Sequence, residues 1–165
     1  MALMVDAVHA HGELAAVELV HNGHAVSNRY SRLPVMGVSD LPVAALEPSQ
    51  SCAMTRRDIA DVRRWHRKAA LRARDIGFDI VYVYAGHDLT LGMHFLSRRY
   101  NRRVDEYGGS LTKRLRLTRE LLEDTREAVG DRCGIAFRFA VDELLGSEGL
   151  SCEAESRDVV EMLAE

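Results

Sequence analysis

The run "VYVYAGH" at residues 81–87 sets a phenol and an imidazole three residues apart, where a strand gives way to a loop. Val81, Tyr82, Val83 and Tyr84 favour a strand, and Tyr84 and His87 stand at its end. Such a pair can hold or move a proton near neutral pH; a half-buried tyrosine beside a loop histidine is the plainer alternative. Two more ionisable residues stand out by their surroundings. Alternation along a strand gives "CGIAFRFAV" (133–141) one face of Cys133, Ile135, Phe137 and Phe139, and another of Gly134, Ala136, Arg138 and Ala140. "LAAVELV" (14–20) splits in the same way, with Ala16, Glu18 and Val20 opposite Ala15, Val17 and Leu19. An ionised side chain in a buried strand needs an opposite charge or strong hydrogen-bonding partners. Small neighbours leave room for a flat ligand whose polar edge Glu18 and Arg138 would bond, and the same two residues also suit a structural ion pair. His21 and His24, in "HNGH" just after the first strand, are candidate substrate contacts, or else ordinary loop histidines.

These residues need a frame to bring them together. Residues 1–11 read as a helix end closed near Gly12, and 14–20 as a short strand. His21 to Met54 holds all three prolines and shows no clear period, and long irregular stretches inside a domain are commonly functional. The clearest helix is 55–77, where Thr55 and Asp58 have capping-box spacing and Gly77 supplies the stop. Its apolar stripe is Ile59, Val62, His66, Ala69, Ala73 and Ile76. Residues 78–84 form the second strand. Ser110 can cap the next helix, with the stripe Leu111, Leu115, Thr118, Leu122, Thr125 and Val129 and an end at Gly130. Residues 133–141 form the third strand and 153–164 a last helix. Strands alternating with long helices imply parallel βαβ units, as a doubly wound sheet or as part of a (β/α)8 barrel. The strands lack the Gly-x-Gly-x-x-Gly that a dinucleotide-binding module wants after one of them. Glu18, Tyr84 and Arg138 all lie towards the C-terminal ends of their strands, the end at which α/β barrels place their active sites.

The bulk properties narrow the partners. A chain of 165 residues, with 47% apolar and 28% charged residues, reads as one soluble domain. A net charge of −3 gives no reason to expect nucleic acid, and no apolar run suits a membrane span. Cys52, Cys133 and Cys152 are odd in number and widely spaced, and read as reduced, buried thiols of a cytoplasmic protein with no metal site.

"VYVYAGH", "HFLSRRYNRRVDEYGGSLTKRLRL" and "GIAFRFAVD" together resemble the Old Yellow Enzyme family of FMN-dependent oxidoreductases, closest to its trimethylamine dehydrogenase and N-methylproline demethylase branch. The pattern F-L-x-x-x-x-N-x-R-x-D-x-Y-G-G-S runs from Phe95 to Ser110. The resemblance implies an α/β fold: a partial TIM (β/α)8 barrel, about strands three to five with their helices, in a truncated chain. It implies that Tyr84 and His87 hold or deprotonate an amine while a hydride leaves for FMN. By the same likeness Arg138 faces one edge of the flavin, Glu18 bonds its pyrimidine edge, and NAD(P)H is a possible electron donor. Val20 stands where relatives often have an aromatic residue, Lys113 where they have Asn, and "AGHDLTLGMHFL" is one residue longer than in many of them. The loops that grip the flavin phosphate, and the cysteines that hold an iron–sulfur cluster in larger relatives, have no counterpart in this sequence. A second expectation follows: an inactive barrel fragment whose open edges self-associate or pair with a partner chain.

Overall fold

The computed structural model describes residues 1–26, 29, 31–43 and 49–164. Thr55 starts the longest element: its Oγ1 accepts from the Asp58 backbone at 3.2 Å, and Asp58 accepts from the Thr55 backbone at 2.8 Å. This capping box opens α2 (Arg56–Ile76), and Gly77, at φ 103, closes it in the left-handed conformation. Before it come α1 (Ala2–His9) and β1 (Ala16–Leu19); after it come β5 (Ile80–Ala85), α5 (Arg116–Val129), β6 (Gly134–Phe139) and α6 (Glu155–Ala164). The expected alternation of strands and helices therefore stands. β1, β5 and β6 form a parallel sheet in that order, with Glu18 opposite Tyr82 and Tyr84 opposite Arg138.

Strand alternation divides this sheet into two unlike faces. Val83 packs with Ile59 and Val62 of α2 and with Leu117 and Leu121 of α5, while Val81 packs with Ala70, Ala73, Ala128 and Val129. The helices cover that face. The other face carries Ala16, Glu18, Tyr82, Tyr84, Ala136 and Arg138, and none of these is buried. Across α2 and α5, Arg63 makes two bonds to Asp124 at 2.7 and 3.0 Å, and His66 meets Thr125 Oγ1 at 2.9 Å.

The structure departs from the sequence reading at four points. The segment between His21 and Met54 holds a small second sheet, β2 (Val35–Gly37), β3 (Pro42–Val43) and β4 (Ser49–Ala53), in the order β2-β4-β3. Strands this short leave no readable period. The stretch after β5 holds α3 (Leu91–Leu96), every residue of which is buried, so it has no polar face to reveal it. Cys133 is buried, but Cys52 and Cys152 are exposed. Ser110 does precede a helix, the single turn α4 (Leu111–Arg114), but its side chain makes no capping bond.

The pattern from Phe95 to Ser110 is a brace. Asn101 Nδ2 donates to the carbonyls of Phe95 and Tyr107, each at 2.7 Å. Arg103 donates to the carbonyls of Val38 and Met54 and pairs with Asp105 at 2.6 Å, tying the segment to the second sheet. Gly108 is required by closeness: a Cβ there would lie 2.1 Å from the Arg103 carbonyl oxygen. Asn101, Arg103 and Gly108 of this stretch thus order backbone.

Candidate active site

The parallel register sets Glu18, Tyr84 and Arg138 on the face without helices. Arg138 Nη1 donates to Glu18 Oε1 at 2.7 Å, across the intervening strand β5, and the guanidinium lies 5.2 Å from the centre of the Tyr84 ring. Both ends of this ion pair are well exposed, 51% for the Arg138 side chain and 38% for Glu18. Such a pair contributes little to stability. Among the described residues the bond uses Nη1 alone, which leaves the remaining N–H groups of the guanidinium fork for a ligand.

At the C-terminal end of β5 the chain turns sharply. Gly86 lets it do so, because a Cβ there would sit 2.8 Å from the Tyr84 ring. His87 follows, and its Nδ1 is hydrogen-bonded to the Tyr84 hydroxyl, with the two rings 5.9 Å apart and inclined at 62°. The hydroxyl donates when Nδ1 carries no proton and accepts when it does. The structure therefore brings Tyr84, His87, Arg138 and Glu18 together at one end of the sheet, His87 through Tyr84 and Glu18 through Arg138. Of the two alternatives for Glu18 and Arg138, the ion pair is present, and it lies on an exposed face.

The two loop histidines part company. His21 is partly buried and lies parallel to the Trp65 ring at 6.5 Å. With Val17, Leu19, His66 and Leu121 it lines a groove of about 470 Å³ along the open edge of β1, which touches Glu18 and Tyr84 but not Arg138 or His87. His24 turns inward instead. It stacks on His94 with ring centres 3.7 Å apart, and the Tyr100 ring meets both edge-on. His94, Tyr100 and Asp88, which completes the cluster, were not singled out from the sequence. The one available signal was a histidine in the otherwise apolar run "LGMHFL".

Burial makes this cluster sensitive to acid. Desolvation, then the neighbouring His24, pushes His94 down to about 3, and desolvation pushes His66 down to about 4. A histidine lowered on folding costs nothing above its ordinary value near 6.5. Below that the unfolded chain takes up a proton that the folded chain refuses, so stability falls as pH falls from 6.5 towards 4. At pH 5 each ring costs about 2 kcal/mol. The urea midpoint should therefore drop clearly between pH 7 and pH 5, and His94→Gln should flatten that dependence. Equal midpoints at the two pH values would contradict this assignment.

Among the described residues, no group of three or more His, Cys, Asp or Glu is placed to hold a metal, and no helix is long and apolar enough to cross a membrane. The profile of the NADH:flavin oxidoreductase / NADH oxidase family matches residues 1–165. The chain belongs to this family. Dimethylamine dehydrogenase of Hyphomicrobium sp. (strain x) is 39% identical over 96% of this chain and 22% of its own length. Histamine dehydrogenase from Rhizobium sp. 4-9 superposes with a TM-score of 0.93 at 42% identity, over 99% of this chain and 24% of its own. The 6-hydroxypseudooxynicotine amine oxidase from Pseudomonas geniculata N1 gives the same TM-score at 45% identity, over 99% and 25%. The chain thus spans about a quarter of the length of these relatives. Its fold is part of a flavin-oxidoreductase barrel, with three parallel strands and their helices.

Proposed function

We propose that this chain is the sector of an FMN-dependent amine-oxidising barrel that holds one edge of the flavin and the proton-handling pair for the substrate. The observation that carries the reading is the hydrogen-bonded Tyr84–His87 pair at the C-terminal end of β5, beside Arg138. The residues suit the group assigned to them. Among the described residues, Arg138 presents a guanidinium with uncommitted N–H groups on an exposed face, beside the small side chain of Ala136, and Glu18 steadies it. FMN, when bound, supplies the acceptor for a hydride from the carbon next to the amine nitrogen.

This chain's own residues handle the proton and the charge. The Tyr84 oxygen holds the amine nitrogen or takes its proton, and His87 Nδ1 shares that proton across their hydrogen bond. Arg138 supplies positive charge where negative charge grows during reaction. His21, at the mouth of the adjoining groove, is the better placed of the two histidines to touch a substrate, because His24 is committed to His94. An N-methylated amine is the substrate class, in keeping with the dimethylamine dehydrogenase among the relatives. NAD(P)H is an alternative electron donor, and three free thiols suit a cytoplasmic setting.

The test is a chimera in which these 165 residues replace their counterpart in the Hyphomicrobium dimethylamine dehydrogenase. Arg138→Ala in that chimera should weaken flavin binding by about tenfold or more, ~1.4 kcal/mol, or lower its reduction potential. Unchanged affinity and unchanged potential would remove Arg138 from the flavin site.

A second reading applies to the isolated chain. Among the described residues β1 and β6 each pair on one side only, and apolar grooves run beside both, the second between α5, β6 and α6 with Phe137, Phe139 and Leu163 in its lining. Unpaired edges beside apolar seams favour association, so the isolated chain self-associates or takes a partner chain and holds flavin weakly at best.

A further inference from the structure

His87 and Asp88 are consecutive non-glycine residues in the left-handed region, at φ 59 and φ 52. Histidine and aspartate tolerate that region better than most, yet it is sparsely populated for any residue with a Cβ. Two in succession need holding from outside. The hold is visible on Asp88. Its main-chain carbonyl accepts from His94 Nε2 at 3.1 Å, and its carboxylate accepts from the Tyr100 hydroxyl at 2.8 Å.

Both donors are themselves fixed. His94 is fully buried and stacks on His24, and a side chain at Gly23 would come within 2.8 Å of its Nδ1. Among the described residues the His94 Nδ1 has no hydrogen-bond partner, which agrees with a neutral ring whose one proton sits on Nε2, facing the Asp88 carbonyl. Arg99 lies over the Tyr100 ring at 5.5 Å. The helix that carries His94 is fixed at its start by Thr90, whose Oγ1 accepts from the Met93 backbone, and by the Leu91 N–H, which donates to the His21 carbonyl at 2.7 Å.

We propose that His94 and Tyr100 are positioning residues: they clamp Asp88 by its carbonyl and its carboxylate, and so hold the strained turn that keeps His87 against Tyr84. Neither touches the reacting atoms. The inference rests on the reading of Tyr84 and His87 as the working pair, but the clamp itself can be tested without any turnover.

The measurement is the nuclear Overhauser contact between the Tyr84 and His87 rings, in the 165-residue chain as it stands. Tyr100→Phe keeps the ring and removes only the donor; Asp88→Ala removes the acceptor at a half-exposed site. Each should reduce the contact at least several-fold while the amide shifts of Val81 and Val83 stay in place. Asp88→Asn keeps an acceptor oxygen and tolerates the same backbone, and should restore most of it. An undiminished ring contact in both Tyr100→Phe and Asp88→Ala would overturn the clamp, and so would a wild-type chain with no contact to hold. Should Tyr100→Phe fail to fold, the comparison of Asp88→Ala with Asp88→Asn decides alone: equal contact in the two overturns the proposal. Failure of the functional reading shows elsewhere, as amine oxidation by the chimera that is indifferent to Tyr84.

Discussion

Tyr84→Phe, in the dimethylamine dehydrogenase chimera, should slow flavin reduction by the amine by about 10²–10⁴-fold, the usual worth of a positioned acid or base. His87→Ala should fall in the same range. The two losses should not add, because each removes one end of a single hydrogen bond. Flavin should stay bound in both variants, since the groups assigned to its edge are Arg138 and Glu18 on the neighbouring strands. Stopped-flow bleaching under anaerobic conditions reads the rate, and absorbance before mixing reads the flavin content. Losses that multiply in the double variant would mean that the two residues act separately.

The second large effect is on stability. Arg114 is 2% exposed, and its guanidinium donates to the carbonyls of Leu96 and Gly109 and to Glu155 Oε1 at 2.5 Å. It therefore joins the end of α3, the glycine pair and α6 at one buried point. Burial pushes Glu155 up, but its bonds to Arg114 and Arg98 outweigh that and leave it lowered. Arg114→Ala leaves two carbonyls without their donor and Glu155 with only Arg98. The loss should be about 3–5 kcal/mol, read as a shift in the urea midpoint at pH 7. Arg114→Lys should recover only part of it, because one ammonium cannot reproduce the planar fork. A loss under about 1 kcal/mol would contradict the burial assigned to this arginine.

How far the sequence could be read depended on the length of each pattern. α2 declared itself because a capping box, a long apolar stripe and a terminal glycine agree over many residues. The shared face of Tyr84 and Arg138 followed from alternation once the strands were taken as parallel neighbours. α3 did not declare itself, being six residues long and buried on every side. The second sheet has strands of two, three and five residues, too short for any period, and Arg103, distant in sequence, bonds the carbonyls of Val38 and Met54 just past two of them. His24 illustrates a different limit: nothing local distinguishes it from His21, and it is turned inward by a stacking partner seventy positions away. The Phe95–Ser110 pattern is the converse case, conspicuous in sequence but concerned with backbone order. That Glu18 and Arg138 pair with each other and still face open space also depends on the exposure of the sheet face, which alternation alone does not give.

The central claim is that the face carrying Glu18, Tyr84, His87 and Arg138 is a flavin and amine site once the barrel is complete. The most direct measurement is the visible absorbance of the chimera, before and after anaerobic addition of dimethylamine. The account predicts a yellow protein with near-stoichiometric FMN that bleaches with the amine. A folded chimera that purifies colourless, or one whose flavin the amine leaves oxidised, would contradict it.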